Sequence, residues 1–451
     1  MLRSALRPAG AAARATRPAL HTAMRACASA VTKVTGGSTG VFPQAPSPLQ
    51  EFSVVYTDRA LNHMSEPFKK VMLDMDELLC DIYGADTAVI IPGSGTYGME
   101  AVARQFATGK KAMVLRNGYF SWRWTDIFDT GDIPSESVVV QARPCNVVEG
   151  KQQFAPPPIE EMEERIRAEK PAVFFTPQVE TSTGILLPDE YIARLAAAVH
   201  EVGGIFVLDA IASGTVWIDM KKNGIDALIT APQKGWSGPA CAAIVMLSER
   251  GVEATRATPG TSLACNLGKW LSARRRRPPH LSHPSPTAHV MDSYKSGGFA
   301  YHTTMPTDAL VVARDAMMVT RDFGFDRAKQ APPRSRGGHG HAAFELGGLV
   351  RGVLQGDRGL VSVAAPGFES PGVVVVHTDD SAVLSKFLSA GTQIAAGVPF
   401  KLGESEDTKT FRIGLFGIDK LADPTATVKH FERALDVAVP PAIAAPAAAA
   451  A

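Results

Sequence analysis

The chain has 451 residues, 45% hydrophobic and 20% charged, with a formal net charge of +1. Its length exceeds the roughly 250 to 300 residues at which one hydrophobic core stops growing, so two domains are expected, and the composition excludes a disordered chain. Bulk charge implies neither nucleic acid nor a bilayer, and no run approaches the ~20 apolar residues of a membrane span.

The charge is unevenly spread. Arg3, Arg7, Arg14, Arg17, Arg25 and Lys33 precede the first acidic residue, Glu51. An Arg-bearing, Ala- and Ser-rich, acid-free start has the composition of a transit peptide, here residues 1–35, addressed to the mitochondrion or alternatively the plastid; a tail without an address has the same texture. The tail, residues 441–451, is low-complexity and lacks a Ser-Lys-Leu ending. Cys27, Cys80, Cys145, Cys241 and Cys265 contain no C-x-x-C pair, which suits a reducing compartment and gives no zinc frame.

The first predicted element is a helix over EPFKKVMLDMDELLCDIYG, with Phe68, Val71, Met75, Leu78 and Ile82 on one face and Gly84 as its stop. Next comes TAVIIPGSGTYGMEAVARQF, a strand, a glycine-rich turn and a helix, the context in which backbone N–H groups hold a phosphate. Its G-x-G-x-x-G spacing fits a dinucleotide fold, which also needs an acidic residue about 20 positions on. KAMVL ends instead in Arg116-Asn117-Gly118, so only an NADP reader or a turn without ligand stays open beside other phosphates. The runs TAVII, KAMVL, SVVVQ, PAVFF, GIFVLD, DALIT and CAAIVML are short and continuously apolar. They predict strands buried on both faces of a mostly parallel sheet covered by helices, an α/β fold. A second helix, LPDEYIARLAAAVHEVGG, starts at Pro188 and closes on Gly203-Gly204.

From Pro306 a smaller α+β domain is expected: a helix in TDALVVARDAMMV, a strand in GVVVVHT, a helix near Ser381 to Leu388, a strand in TKTFRIGLF and a final helix. The expected division is a large domain over 50–305 and a small one over 306–440. Residues 273–290 and 328–344, rich in Pro, Arg and His, are read as flexible insertions.

Three places bear chemistry. The turn at Ser94, Gly95 and Thr96 suits an anion. GIFVLDAIAS delivers Asp209 at the carboxyl end of a strand, where open parallel sheets bind ligands; it would serve as a helix cap, as a partner of a buried cation, or as the acceptor of a pyridinium N–H. In DALITAPQKGWSGPA, Lys234 follows Asp209 by 25 residues, hedged by an apolar strand, Trp, Gly and Pro. Such surroundings desolvate the amine and lower its pKa toward Schiff-base chemistry. A phosphate loop, a strand-end carboxylate and a desolvated lysine together are what pyridoxal phosphate needs.

The ordered set GSGTYGMEA, VETSTGILLP, VLDAIAS, APQKGW, YHTTMPT and FRIGLFG resembles the class V, fold-type I pyridoxal-phosphate aminotransferases, with the alanine–glyoxylate / serine–pyruvate group as the best match, from about Ala60 to Lys420. The resemblance implies a large domain with a seven-stranded sheet and a smaller C-terminal α+β domain. It implies that Lys234 bonds the cofactor as an aldimine and shuttles a proton, while Asp209 pairs with the pyridine nitrogen beside Ile211. Ser94, Gly95, Thr96 and Gln233 would hold the phosphate, and Thr181 would reach the ring hydroxyl. Phe120 would stack on the ring, with Trp122 and Trp124 as competing candidates. Tyr301 and Thr304 would cross to a neighbouring subunit's phosphate, implying a homodimer with shared sites. Arg412 would clamp the substrate carboxylate, a task that suits a bidentate guanidinium.

The expected activity is amino transfer from alanine or serine to glyoxylate or pyruvate, without metal, nucleic acid or membrane. Alternatives are another amino donor or a lyase reaction on the same cofactor, an NADP-dependent oxidoreductase, or a non-catalytic scaffold. A cysteine desulfurase would need a C-terminal nucleophilic cysteine, and none follows Cys265.

Overall fold

The structure is a computed structural model describing residues 46–47, 49–271, 290–328 and 342–441. The leader 1–35 lies outside these residues, as do the two insertions and the C-terminal tail except at their margins. The chain divides into a unit ending at Asn62 and a unit from His63 onward. In the first, the Glu51 carboxylate closes a local loop by accepting from Ser53 N at 3.0 Å and Asn62 Nδ2 at 3.2 Å.

The second unit begins with helix α1, Glu66–Tyr83. Ser65 caps it by accepting from Phe68 N, and Gly84 ends it in the left-handed region at φ 62°. Its inner face holds Phe68, Val71, Met75 and Leu78 as anticipated, but Tyr83 is buried there while Ile82 is only half-buried. Asp74, also on this helix, is buried because Arg314 of the helix Thr307–Phe323 reaches it at 2.7 Å.

The strands in chain order are β1 Thr87–Pro92, β2 Lys111–Arg116, β3 Glu136–Gln141, β4 Arg143–Val148, β5 Lys151–Ala155, β6 Val173–Pro177, β7 Val179–Glu180, β8 Ile185–Leu186, β9 Ile205–Asp209, β10 Ala227–Thr230 and β11 Ala242–Leu247. Seven of them form one sheet in the order β1-β11-β10-β9-β6-β2-β3. They are the seven apolar runs of the sequence. Pairing is parallel from β10 through β3, whereas β11 runs antiparallel to both β1 and β10. Helices α2 Gly95–Phe106, α3 Tyr119–Gly131, α4 Ile159–Glu169 and α5 Asp189–Glu201 connect these strands. The strands β6, β9 and β10 are buried almost throughout, as a sheet covered on both faces requires.

The hairpin β4–β5 was not anticipated. Every residue of β4 is exposed, so no apolar alternation marks it in the sequence.

The second sheet joins β12 Val373–His377, β13 Ala395–Ala396 and β14 Thr410–Gly414 in the antiparallel order β12-β14-β13. Phe411 and Ile413 of β14 enter a core with Val374, Val376, Phe387 and Leu435. Strand alternation turns Arg412, between them, to the other face. The helices Val383–Ser389 and Pro424–Ala438 complete this α+β part near their expected positions.

Candidate active site

The turn after β1 opens α2 with an unfilled N-terminus. Ser94 stands at the cap in extended geometry but makes no side-chain cap bond, and the first turn carries no acid. The amides of Tyr97 and Gly98 turn back to the Ser94 carbonyl, while those of Gly95 and Thr96 meet no acceptor among the described residues. A Cβ on Gly95 would lie 2.6 Å from Ile211 Cδ1, so the absence of a side chain lets this helix end approach the loop that follows Asp209.

Asp209 ends β9 and is buried, its Oδ1 accepting from Ile211 N at 3.0 Å. Burial pushes its carboxyl up to about 7; the negative Glu180 adds to this, while the Ile211 amide and the Arg123 charge act against it.

Lys234, in the loop between β10 and β11, is half-buried with its Nζ 5.7 Å from the Phe416 ring centre. Burial lowers its pKa, and the guanidinium of Arg412 lowers it further. The next residue, Gly235, packs on the Gly214 backbone so tightly that a Cβ would lie 2.0 Å from the Gly214 carbonyl oxygen. The lysine loop and the loop carrying Ile211 are thereby fixed to one another. Gln233, before the lysine, keeps a buried Oε1 without a partner among the described residues.

Arg412 is held by its Nε, which donates to the Ala396 carbonyl at 2.7 Å and leaves the two terminal nitrogens for other acceptors. Burial lowers its pKa, opposed by Glu180. Its guanidinium carbon lies 5.8 Å from the Phe120 ring centre, and that of Arg123 lies 5.3 Å from the same ring. Arg123 Nη1 in turn donates to Thr96 Oγ1 at 3.2 Å, at the open end of α2. A continuous series of contacts therefore runs from Thr96 through Arg123 and Phe120 to Arg412. A cavity of about 690 Å³ in the small sheet's region adjoins Ala396 and is lined by Gly397, Pro399, Lys401 and Lys409.

Among the aromatic candidates, Trp124 is buried in the core 4.5 Å from Phe175, and Trp122 sits beneath Lys401; Phe120 is the one facing both arginines. Thr181 is buried in the turn between β7 and β8. Tyr301 and Thr304 are exposed and bonded to each other at 2.9 Å. Arg116, the residue that kept an NADP reading open, instead donates to Thr125 Oγ1 at 3.0 Å.

Sequence reasoning missed Arg123 and Glu180. Arg123 lies three residues after Phe120 on α3, so helical spacing puts the two on one face. Glu180 belongs to the quoted VETSTG motif, and an acid inside a buried two-residue strand is itself the signal.

Residues 37–265, half of the chain, match the family model for class-V aminotransferases. The chain belongs to that family. It is 27% identical to the small subunit of a soluble hydrogenase from Synechococcus, over 50% of this chain and 57% of that one. It is also 29% identical to the L-aspartate–glyoxylate aminotransferase of Paracoccus denitrificans, over 37% and 40%. The chain spans about half the length of the first curated relatives it matches. The crystal structure of an alanine–glyoxylate aminotransferase from Nostoc shares its fold at a TM-score of 0.64 and 20% identity, covering 84% of this chain and 88% of that one. The family replaces the NADP-dependent alternative, and its cofactor is pyridoxal phosphate. The residues present fit that group: a buried carboxyl at the end of β9, a desolvated amine, and a helix N-terminus whose first two amides meet no acceptor among the described residues.

Proposed function

We propose that this protein is a pyridoxal-phosphate aminotransferase that moves an amino group from alanine or serine to glyoxylate or pyruvate. The observation that carries this reading is that the charge of Arg412 acts on Lys234. Two cationic groups share a half-buried site in which burial depresses both pKa values. Burial and the neighbouring charge both lower the pKa of Lys234, the direction that suits a group meant to take and return the proton at a substrate Cα. Arg412, fixed through Nε, offers its terminal nitrogens to an α-carboxylate, the one group common to donor and acceptor. The cofactor, when bound, supplies the electron-withdrawing ring that makes this proton labile. Asp209 would hold the proton on the ring nitrogen, and the amides of Gly95 and Thr96, with Ser94 and Gln233, would hold the phosphate. Phe120 would cover one ring face, with Thr181 and Ile211 completing the pocket.

The exposure of Tyr301 and Thr304 supports a homodimer in which each subunit lends these residues to the other's phosphate. Mixing Lys234→Ala with Thr304→Val subunits should then restore part of the activity that each variant lacks. The basic leader supports a mitochondrial address, checked by fusing residues 1–35 to a fluorescent protein.

The purified protein, supplied with alanine and glyoxylate, is expected to form pyruvate and glycine in equal amounts. Release of ammonia from serine without a matching new amino acid would favour the lyase alternative and contradict this reading.

A further inference from the structure

The N-terminus of α3 is closed by an acid that nothing above assigns to the reaction. Five successive amides, from Asn117 to Ser121, are all satisfied there. Asn117 N and Gly118 N donate to Ser121 Oγ at 2.8 and 3.0 Å, and Tyr119 N donates to Ser182 Oγ at 2.9 Å. Phe120 N and Ser121 N donate to the two carboxylate oxygens of Glu180 at 3.2 and 2.9 Å. Because each serine oxygen already accepts from backbone, its one hydrogen is free to be given away. Ser121 Oγ reaches Glu180 Oε2 at 2.7 Å, and Ser182 Oγ reaches Oε1 at 2.8 Å. Ser182 N adds a further donor to Oε1 at 3.1 Å. Glu180 is wholly buried and only receives, so the pattern is complete with an ionised carboxylate and incomplete with an amide. The helix dipole favours the same charge.

This turn carries the two side chains that link the ends of the site: Phe120, which faces Arg412, and Arg123, which reaches Thr96. We infer that Glu180, with Ser121 and Ser182, is a positioning residue for the amino-transfer reaction, locking the turn 117–121 so that Phe120 and Arg123 are held in the cofactor site. The inference rests on the reading above for its consequence and on the hydrogen bonds alone for the lock. Space enforces it: a Cβ on Gly118 would lie 2.0 Å from Ser182 Oγ and 2.6 Å from Glu180 Cγ.

The test compares Glu180→Gln with Phe174→Leu, a core change in β6 chosen because Phe174 is buried and stacked on Phe206, away from the residues named in the site. In the Gln variant one amide nitrogen must oppose a backbone N–H. Amide exchange in the peptide covering 117–121 of the cofactor-free protein should rise about 10-fold or more. In the loaded protein, kcat should fall about 10- to 100-fold and the visible circular dichroism of the cofactor should weaken, while the KM for the amino donor moves less than about 3-fold. Phe174→Leu should lower the melting temperature yet leave dichroism and kcat near their starting values. A Glu180→Gln protein with unchanged exchange at 117–121 overturns the lock. Faster exchange with unchanged dichroism and kcat, or equal losses in Phe174→Leu, overturns the positioning role. If the unsubstituted protein binds no pyridoxal phosphate, the function proposed above falls, and the exchange measurement still decides the lock.

Discussion

The two helices that point their N-termini toward the site end in opposite ways. At α3 the amides of residues 117–121 are consumed by Ser121, Ser182 and the buried carboxylate of Glu180. At α2 the cap serine bonds nothing with its side chain, no acid stands in the first turn, and the first two amides have no acceptor among the described residues. Both ends carry the same partial positive charge from their peptide dipoles. One is satisfied from within the chain; the other leaves its first two amides to an acceptor beyond the described residues. A helix N-terminus is thus read as a binding site only after asking what already fills it, and here Arg123 runs from the filled end to the unfilled one.

The largest test of this contrast is Gly118→Val, which forces a branched side chain into the Ser182 hydroxyl and breaks several buried hydrogen bonds together. Overpacking and the orphaned donors should cost on the order of 4 kcal/mol, read as a fall in the denaturation midpoint, with loss of cofactor retention.

Between the two ends, Asp209 adds a pH dependence of opposite sign to the usual carboxylate. Its folded pKa of about 7 lies above its ordinary 3.8, so the folded state binds the extra proton in that interval. The stability it contributes is present below pH 4 and is lost as pH rises through 7. At about 1.4 kcal/mol per unit, the cofactor-free protein loses up to about 4 kcal/mol from this group by pH 8. Asp209→Asn should therefore flatten the urea-unfolding profile between pH 4 and 8 while weakening pyridoxal phosphate binding. A wild-type profile in that variant would show that Asp209 is not the group responsible.

A smaller change converts one end into the other. Ser94→Asp supplies α2 with an internal anion in cap geometry, so the cofactor-free protein should gain about 1 kcal/mol of stability. Affinity for pyridoxal phosphate should fall about 10-fold, because two anions then compete for the same amides. Affinity for pyridoxal, which has no phosphate, should hardly change; an equal loss for both ligands would place the phosphate elsewhere.

The sheet was legible because its seven strands are continuous apolar runs, a texture that burial on both faces imposes on all but the edge strand β3, which buries no residue, and that Gly, Pro and Asp punctuate. The hairpin β4–β5 was not, since every residue of β4 is exposed and β5 buries only Gln153 and Phe154, which leaves no alternation in residue type. Asp209 and Lys234 were legible from position, at the end of an apolar strand and beside Trp236 and Gly235. Arg412 came only through family resemblance, as its electrostatic influence on Lys234 joins distant parts of the chain that no local periodicity records. Glu180 was overlooked inside a motif already quoted, because its role depends on two amides about sixty residues earlier.

The central claim is that Lys234 carries the cofactor whose phosphate fills the open end of α2. Reducing the pyridoxal-phosphate-loaded protein with borohydride, digesting it and weighing the peptides tests this directly. The account predicts the pyridoxyl phosphate mass on the peptide containing Lys234 and on no other; label on a different lysine, or on none, would contradict it.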